Sequence, residues 1–306
     1  MNDSLDIENF KIEEHKYLDN LVEAAIKCEE INIYLKKFGW YLTPFFYQDQ
    51  YDRIKSFKDN DFGTFENIAN VLKETLFDSR ILAIYMEAFY KKLPYIKDFS
   101  FLIDHGIILY LQSDYPGAIN CLIPIIEGVI RSYLKIKGID ATTYKDLISS
   151  LRIMHEDIRE ANKKKYKDRG LTELDYNPLL EKLGVYLTKW FSFFEDFISN
   201  GLYLNTKSRK TYDYLNRHSI LHGLTNSHYY SFTNATKVYV SLQYLSWIFI
   251  EMTNGFSIVP DIQDGDFNTR HFIYQEIKNY SWDKLNELKY QLYKTHTTFD
   301  FEKFYN

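Results

Sequence analysis

Cysteine is nearly missing from this chain: only Cys28 and Cys121 occur in 306 residues. Both sit inside apolar-periodic segments with no partner at metal-ligand spacing. That excludes a disulfide framework and a cysteine knuckle, and the two read as buried thiols of a reducing compartment. Proline and glycine are scarce, at 6 and 12, while Tyr and Phe number 27 and 23. Lys, Asn and Ile are abundant too, so an AT-rich coding sequence explains the aromatic share better than a ligand cage does. An excess of one charge is also missing. Lys and Arg number 37 against 42 Asp and Glu, a net −5, so no global field draws the chain to nucleic acid or anionic lipid. A polyanion partner would need a local basic patch. The runs "FLIDHGIILYLQ" and "VYVSLQYLSWIFIEM" are interrupted by Asp104, His105 or Gln243 and fall short of the roughly 20 apolar residues of a spanning helix. The polar, acidic start "MNDSLDIENFKIEEHK" is no signal peptide. A cytoplasmic protein without a membrane segment is expected.

What is present is helical periodicity. "LDNLVEAAIKCEEINIYLKKFG" predicts a helix from Leu18, stopped by Gly39 as an αL cap. Thr64 is the expected cap of "FENIANVLKETLF", and "DSRILAIYMEAFYKKL" runs to Pro94. After Tyr95 come "YIKDFSFLIDHGIILYLQ" and then "AINCLIPIIEGVIRSYLKIKG", kinked by Pro124 and ended by Gly138. "TTYKDLISSLRIMHEDIREANKKKYK" is amphipathic with a basic tail. "NPLLEKLGVYLTKWFSFFEDFISNGLY" follows, with Asn177 as cap and Pro178 at the first helical position. A long apolar helix begins at Asn234, residues 256–274 read as loop, and "NYSWDKLNELKYQLYK" is a terminal helix. No strand alternation or repeat appears. The expectation is an all-α fold: a helical N-terminal region over 1–94, a helical bundle over 95–254, and a C-terminal loop and helix over 255–306.

The segment "YLNRHSILHGL", Tyr214 to Leu224, departs from this pattern. Arg217, His218 and His222 stand among Leu215, Ile220, Leu221 and Leu224. Three readings compete. The first is a structural helix with a surface arginine and satisfied histidines. The second is half a metal site, since His218 and His222 at i and i+4 share a helix face; the other half would need acids such as Glu127 or Glu195, and no Glu-x-x-His accompanies them. The third is metal-free ribonuclease chemistry. Histidine titrates near pH 6.5 and suits proton transfer at the 2′-hydroxyl or leaving oxygen. Arginine's planar fork grips phosphate and keeps its charge. Five residues apart, Arg217 and His222 lie roughly 140° from each other on an ideal helix. They converge on one phosphate if the helix is distorted or begins between them, or if a second copy supplies the other half. Gly223 allows close backbone approach.

Arg217, the polar His218, three residues and His222 resemble the Arg-x4-His pattern of the HEPN superfamily of RNA-cleaving domains, in the form found in bacterial abortive-infection and toxin proteins. "YPGAINCLIPIIEGVIRSYL" is similar to the early helix of that family, with Glu127 and Arg131 as its Glu-x-x-x-Arg pair. The likeness covers about residues 95–254. It implies a helical bundle that pairs as a homodimer, so that two motifs meet in one RNA-cutting cleft. It implies that Arg217 stabilises the scissile phosphate, that His222 is the general acid/base, and that His218, next to Asn216, orients them. Glu127 would support Arg217 or His222; an i,i+4 ion pair with Arg131 is the plain alternative. An antitoxin or regulatory partner is implied as well, although Leu224 replaces the tyrosine of members neutralised by a nucleotidyltransferase. No cofactor or metal is expected. The alternative function is the same bundle as a non-catalytic module binding RNA, a nucleotide or a protein.

Two basic stretches could guide RNA: Lys163, Lys164 and Lys165 in "KKKYKDR", and Arg209 with Lys210. A solvated helix end is the commoner meaning of such a run. His228 lines the cleft or caps a loop, and His105 reads as a satisfied core residue. No phosphate loop, nucleophile elbow or Cys-His pair supports nucleotide hydrolysis or acyl transfer.

Overall fold

The structure is a computed structural model that describes residues 2–61, 63–140, 144–202, 220, 230–253 and 264–280. Among these residues there are helices and turns and no strand, so the fold is all-α as the periodicity predicts. The helices are α1 (Asn2–Lys36), α2 (Gln48–Asn60), α3 (Phe65–Leu76), α4 (Ser79–Ile84), α5 (Ser100–Leu111), α6 (Tyr115–Ile136), α7 (Tyr144–Asp168), α8 (Glu173–Phe197), α9 (Phe232–Met252) and α10 (Asp264–Tyr280). A π-helical turn, Tyr85–Tyr90, continues α4. The chain forms two compact units: Met1–Thr64, Ile130–Gly201 and Val240–Val259 make the first, and Phe65–Val129, Leu202–Tyr239 and Pro260–Asn306 the second. The division falls within α6 and α9, so each unit takes part of both.

In the first unit, α1 and α7 both pack on α8. The buried stripe of α1 is Leu18, Ala25, Cys28, Ile31 and Leu35, at helical spacing. Three helices end on the same device. Gly39, Gly138 and Gly170 adopt φ of 63°, 73° and 84°. In each case the next residue's N–H reaches back to the carbonyl five positions earlier: Trp40 to Leu35, Ile139 to Leu134, Leu171 to Tyr166. This satisfies carbonyls the helix leaves unpaired, and only glycine takes the left-handed turn without strain. The core is aromatic. Phe194 stacks on Tyr244 at 4.7 Å, and Trp247 meets Tyr186 edge-on at 5.9 Å. Each such ring contributes about 2–3 kcal/mol by leaving water.

In the second unit, α10 packs on α4 and α5. Asp78 caps α4, accepting from the N–H groups of Arg80 and Ile81 at 2.9 and 3.1 Å. Phe77 stacks on Tyr110 at 3.5 Å, and Tyr239 completes the cluster. Gly106 lets α5 approach Leu122 of α6; a Cβ there would stand 2.4 Å from a Leu122 methyl.

Several expectations are corrected. The first helix begins at Asn2 rather than Leu18. Its polar stretch is held by tertiary contacts, Lys11 to Asp175 at 2.8 Å and Glu14 to Lys165 at 3.1 Å. Helix α8 begins at Glu173, not at Pro178. Thr172 caps it, with backbone N–H and hydroxyl both donating to Asp175. Pro178 therefore lies inside α8, and Pro124 lies inside α6, where the sequence places it. Both prolines are exposed, as are Leu174 and Asn120 four positions earlier, so water can reach the carbonyls they free. Helix α9 is capped by Ser231, whose Oγ accepts from Asn234 at 3.2 Å, while Asn234 is buried one turn in. Residues 264–274, read as loop, are helical in α10. His105 is exposed, not core. Cys28 is buried, whereas Cys121 is only half-buried. The expected terminal helix after Tyr280 lies outside the described residues.

One helix among the described residues, α6, is long and apolar enough to cross a membrane. More than half of its most apolar window, 56%, is buried within the protein.

Candidate functional site

Asn216, Arg217, His218 and His222 lie outside the described residues, as do Arg209, Lys210 and His228. Of that segment only Ile220 is described: it is helical and 3% exposed, and it belongs to the second unit. Glu127, also of the second unit, is half-buried on α6 beside the fully buried Ile123 and Ile126. Lys163 and Lys165 are half-buried and Lys164 exposed at the end of α7. The structure distinguishes within this run: Lys165 is pinned to Glu14, whose carboxylate also accepts from Tyr166 at 2.9 Å.

Three arrangements of ionisable groups appear among the described residues. The first is an ionic lattice in the second unit. The guanidinium of Arg270 on α10 donates to Glu87 through Nε, and its Nη1 lies 2.7 Å from Asp104. Tyr274 donates to the same Asp104 oxygen, and Lys91 meets both Glu87 oxygens at 2.7 Å. Burial works against the Glu87 charge, yet hydrogen bonds from Lys91 and Arg270 outweigh it and hold the carboxyl below its ordinary value. Every charge here is compensated. Such a lattice holds α10 in place and carries no proton-transfer chemistry.

The second arrangement is in the first unit, around Glu251. Its Oε1 accepts from Trp247 Nε1 at 3.0 Å and Tyr186 OH at 3.3 Å. Burial raises the carboxyl to about 7, against the hydrogen bonds that favour its charge, and the negative field of Glu14 adds to the rise. Tyr17 is raised by burial and by the same two carboxylates. Glu251 is 8% exposed, a poor position for touching a substrate.

The third is an open groove between α7 and α8. His155, Arg159, Leu180, Glu181, Gly184, Val185, Thr188 and Lys189 line a hollow of about 530 Å³. Arg159, Leu180 and Glu181 also line an adjoining hollow of about 280 Å³, with Lys163 and Asn177. His155, Arg159 and Lys163 stand at i, i+4 and i+8, one row on α7. The His155 ring is set edge-on to Phe191 at 5.4 Å. Burial holds its imidazole below the ordinary value, against the pull of Glu156. His155 Nε2 and Arg159 Nε are both shielded from water without a hydrogen-bond partner. In the sequence this row is a His-x3-Arg-x3-Lys spacing on an amphipathic helix, a pattern that no catalytic or metal-binding motif singles out.

Among the described residues no group of three His, Cys, Asp or Glu side chains is arranged to hold a metal ion. No family model matches the chain, and neither does any curated protein or solved structure compared with it.

Proposed function

We propose that the chain is a metal-independent endoribonuclease of the HEPN type, cytoplasmic and dimeric, acting in phage defence or as a toxin and held by an antitoxin or regulatory partner. In this reading the Arg217 guanidinium neutralises charge gathering on the scissile phosphate, His222 moves the proton, and His218 with Asn216 orients them. A fixed cation and a titratable imidazole suffice for such a reaction without a metal, because the attacking hydroxyl belongs to the RNA itself. The observation that carries the reading is the setting of Ile220. Standing between His218 and His222, it is a buried helical residue in the same compact unit as Glu127. On an ideal helix the positions of His218 and His222 fall roughly 160° from that of Ile220, on the side away from the core, and Arg217 about 60° from it.

The test is incubation of purified protein with total RNA in excess chelator. Cutting should persist, and Arg217→Ala and His222→Ala should each reduce it by at least a hundredfold while circular dichroism stays unchanged. Parent-level cutting by either variant would remove the basis of the reading, and cutting abolished by the chelator would replace it with a metal mechanism.

A further inference from the structure

We propose that the first half of α1 is an arm whose docking on the rest of the first unit is controlled by protonation of Glu251. This goes beyond the nuclease reading and does not rest on it. From Asp6 to Tyr17 no residue of α1 is buried; the buried stripe of the helix starts at Leu18. Polar ties hold the arm instead. Lys11 meets Asp175 at 2.8 Å, and Glu14 accepts from Lys165 at 3.1 Å and from Tyr166 at 2.9 Å. The Phe10 ring lies 6.4 Å from that of Tyr166, and the Arg169 guanidinium stands 4.8 Å from the Phe10 centroid. A segment with few buried apolar contacts, attached through ion pairs, belongs to the low-stability end of a fold.

The charge balance behind the arm gives it a control. Glu251 on α9 is 8% exposed, and its Oε1 is held by two neutral donors, Trp247 Nε1 at 3.0 Å and Tyr186 OH at 3.3 Å. The phenols of Tyr17 and Tyr166 are raised by burial and by the fields of both Glu14 and Glu251, so the two carboxyl groups share one neighbourhood. The cation whose field reaches Glu251 is Lys165, and Lys165 is bonded to Glu14. The groups facing Glu251 are thus Glu14 and Tyr17 of α1, Lys165 and Tyr166 of α7, and Tyr186 of α8. One ammonium serves two carboxyl groups. With Glu251 protonated, Lys165 balances Glu14 and the arm is held. Once Glu251 ionises, the cluster carries a negative charge in excess of its cation, which a poorly solvated site penalises. Undocking relieves it: Glu14 leaves for water with the arm, and Lys165 is left to Glu251. Burial holds the Glu251 carboxyl up at about 7 while the arm is docked, and the loss of Glu14 with the entry of water lowers it. The docked state therefore binds the proton more tightly, so docking is favoured below that value and weakens as pH rises toward it.

Hydrogen–deuterium exchange of the full chain at pH 6 and pH 8 tests this, with each rate divided by the intrinsic rate at that pH. Protection over residues 6–17 should fall about tenfold, because below about 7 the docked state keeps one proton that the undocked state has released, a factor of ten per pH unit. Amides at the centre of α8 should keep their protection. Glu251→Gln cannot ionise, so its arm should be equally protected at both values. Glu14→Gln lacks the charge that undocking relieves, so its arm should be less protected at pH 6 and should not loosen further at pH 8. Should Glu251→Gln fail to fold, Glu14→Gln, on a segment without buried residues, carries the test. The proposal is overturned if protection of the parent's arm does not change with pH, if either folded variant keeps the parent's tenfold fall, or if α8 loses as much protection as the arm.

Discussion

Arg270 and Glu87, 183 residues apart in sequence, are joined by a charge-assisted hydrogen bond, and the Glu87 side chain is only 7% exposed. Removing one member of such a pair leaves a buried charge without its partner, which costs about 3–5 kcal/mol where no other cation remains. Lys91 still contacts Glu87, and Asp104 is nearer solvent. Arg270→Met should therefore destabilise the fold by about 2–3 kcal/mol in chemical denaturation. The pH dependence has a definite sign. The Glu87 pKa is depressed in the folded state, so its contribution is complete above the unfolded-state value and is lost as pH falls through the folded value. The gap between parent and variant should narrow in acid; a gap constant with pH would contradict the lattice.

Glu251 behaves in the opposite way. Its folded pKa is raised to about 7 from an ordinary 4.5. Below the ordinary value both states are protonated and nothing is lost. Between the two values the unfolded chain releases a proton that the fold retains, so stability falls as pH rises, and above about 7 the loss is constant. Glu251→Gln keeps an acceptor for Trp247 and Tyr186 while removing the charge. At pH 8 it should be more stable than the parent by on the order of 3 kcal/mol, and at pH 4 the two should melt together. Equal melting at both pH values would show that the carboxylate is not desolvated as described.

Two helical glycines should respond with opposite signs. Gly184→Ala adds a Cβ into open space and improves helix propensity, so stability should rise by about 0.5–1 kcal/mol. Gly106→Ala drives a Cβ to 2.4 Å from Leu122 and should lower stability by about 1–3 kcal/mol. Denaturant titration of both variants separates propensity from packing; a shared sign would mean that α5 and α6 do not approach as closely as described.

The lysine run at the end of α7 is not uniform. Lys164 is exposed and Lys163 borders the groove, while Lys165 is bound to Glu14. If the chain binds RNA along this surface, Lys163→Ala and Lys164→Ala should each reduce the slope of log affinity against log salt by about 1. Lys165→Ala should change stability more than that slope. Filter binding over a salt series measures it, and a Lys165 effect equal to the others would contradict its confinement.

Much of this fold is written in local rules. The apolar stripe of α1, the left-handed stops at Gly39 and Gly138, and the absence of strand alternation depend on residues a few positions apart, and periodicity reads such distances directly. The misplaced starts of α8 and α9 turn on local caps at Thr172 and Ser231, while the larger misses involve longer range. The start of α1 and the helix over 264–280 are polar by sequence, and their contacts to Asp175, Lys165, Glu87 and Asp104 come from distant parts of the chain. The same division runs through the candidate sites. An arginine next to one histidine and five residues ahead of another is visible in any reading of the chain, whereas the acidity of Glu251 and the unpaired nitrogens of His155 and Arg159 are properties of burial. Sequence by itself determined the all-α class, most of the helical segments and the glycine stops at Gly39 and Gly138, because backbone propensity and capping act within a turn or two. Only tertiary structure decided which charges are silent, which are strained by desolvation and which line an open groove, because the dielectric around a side chain is set by neighbours the chain brings from far away.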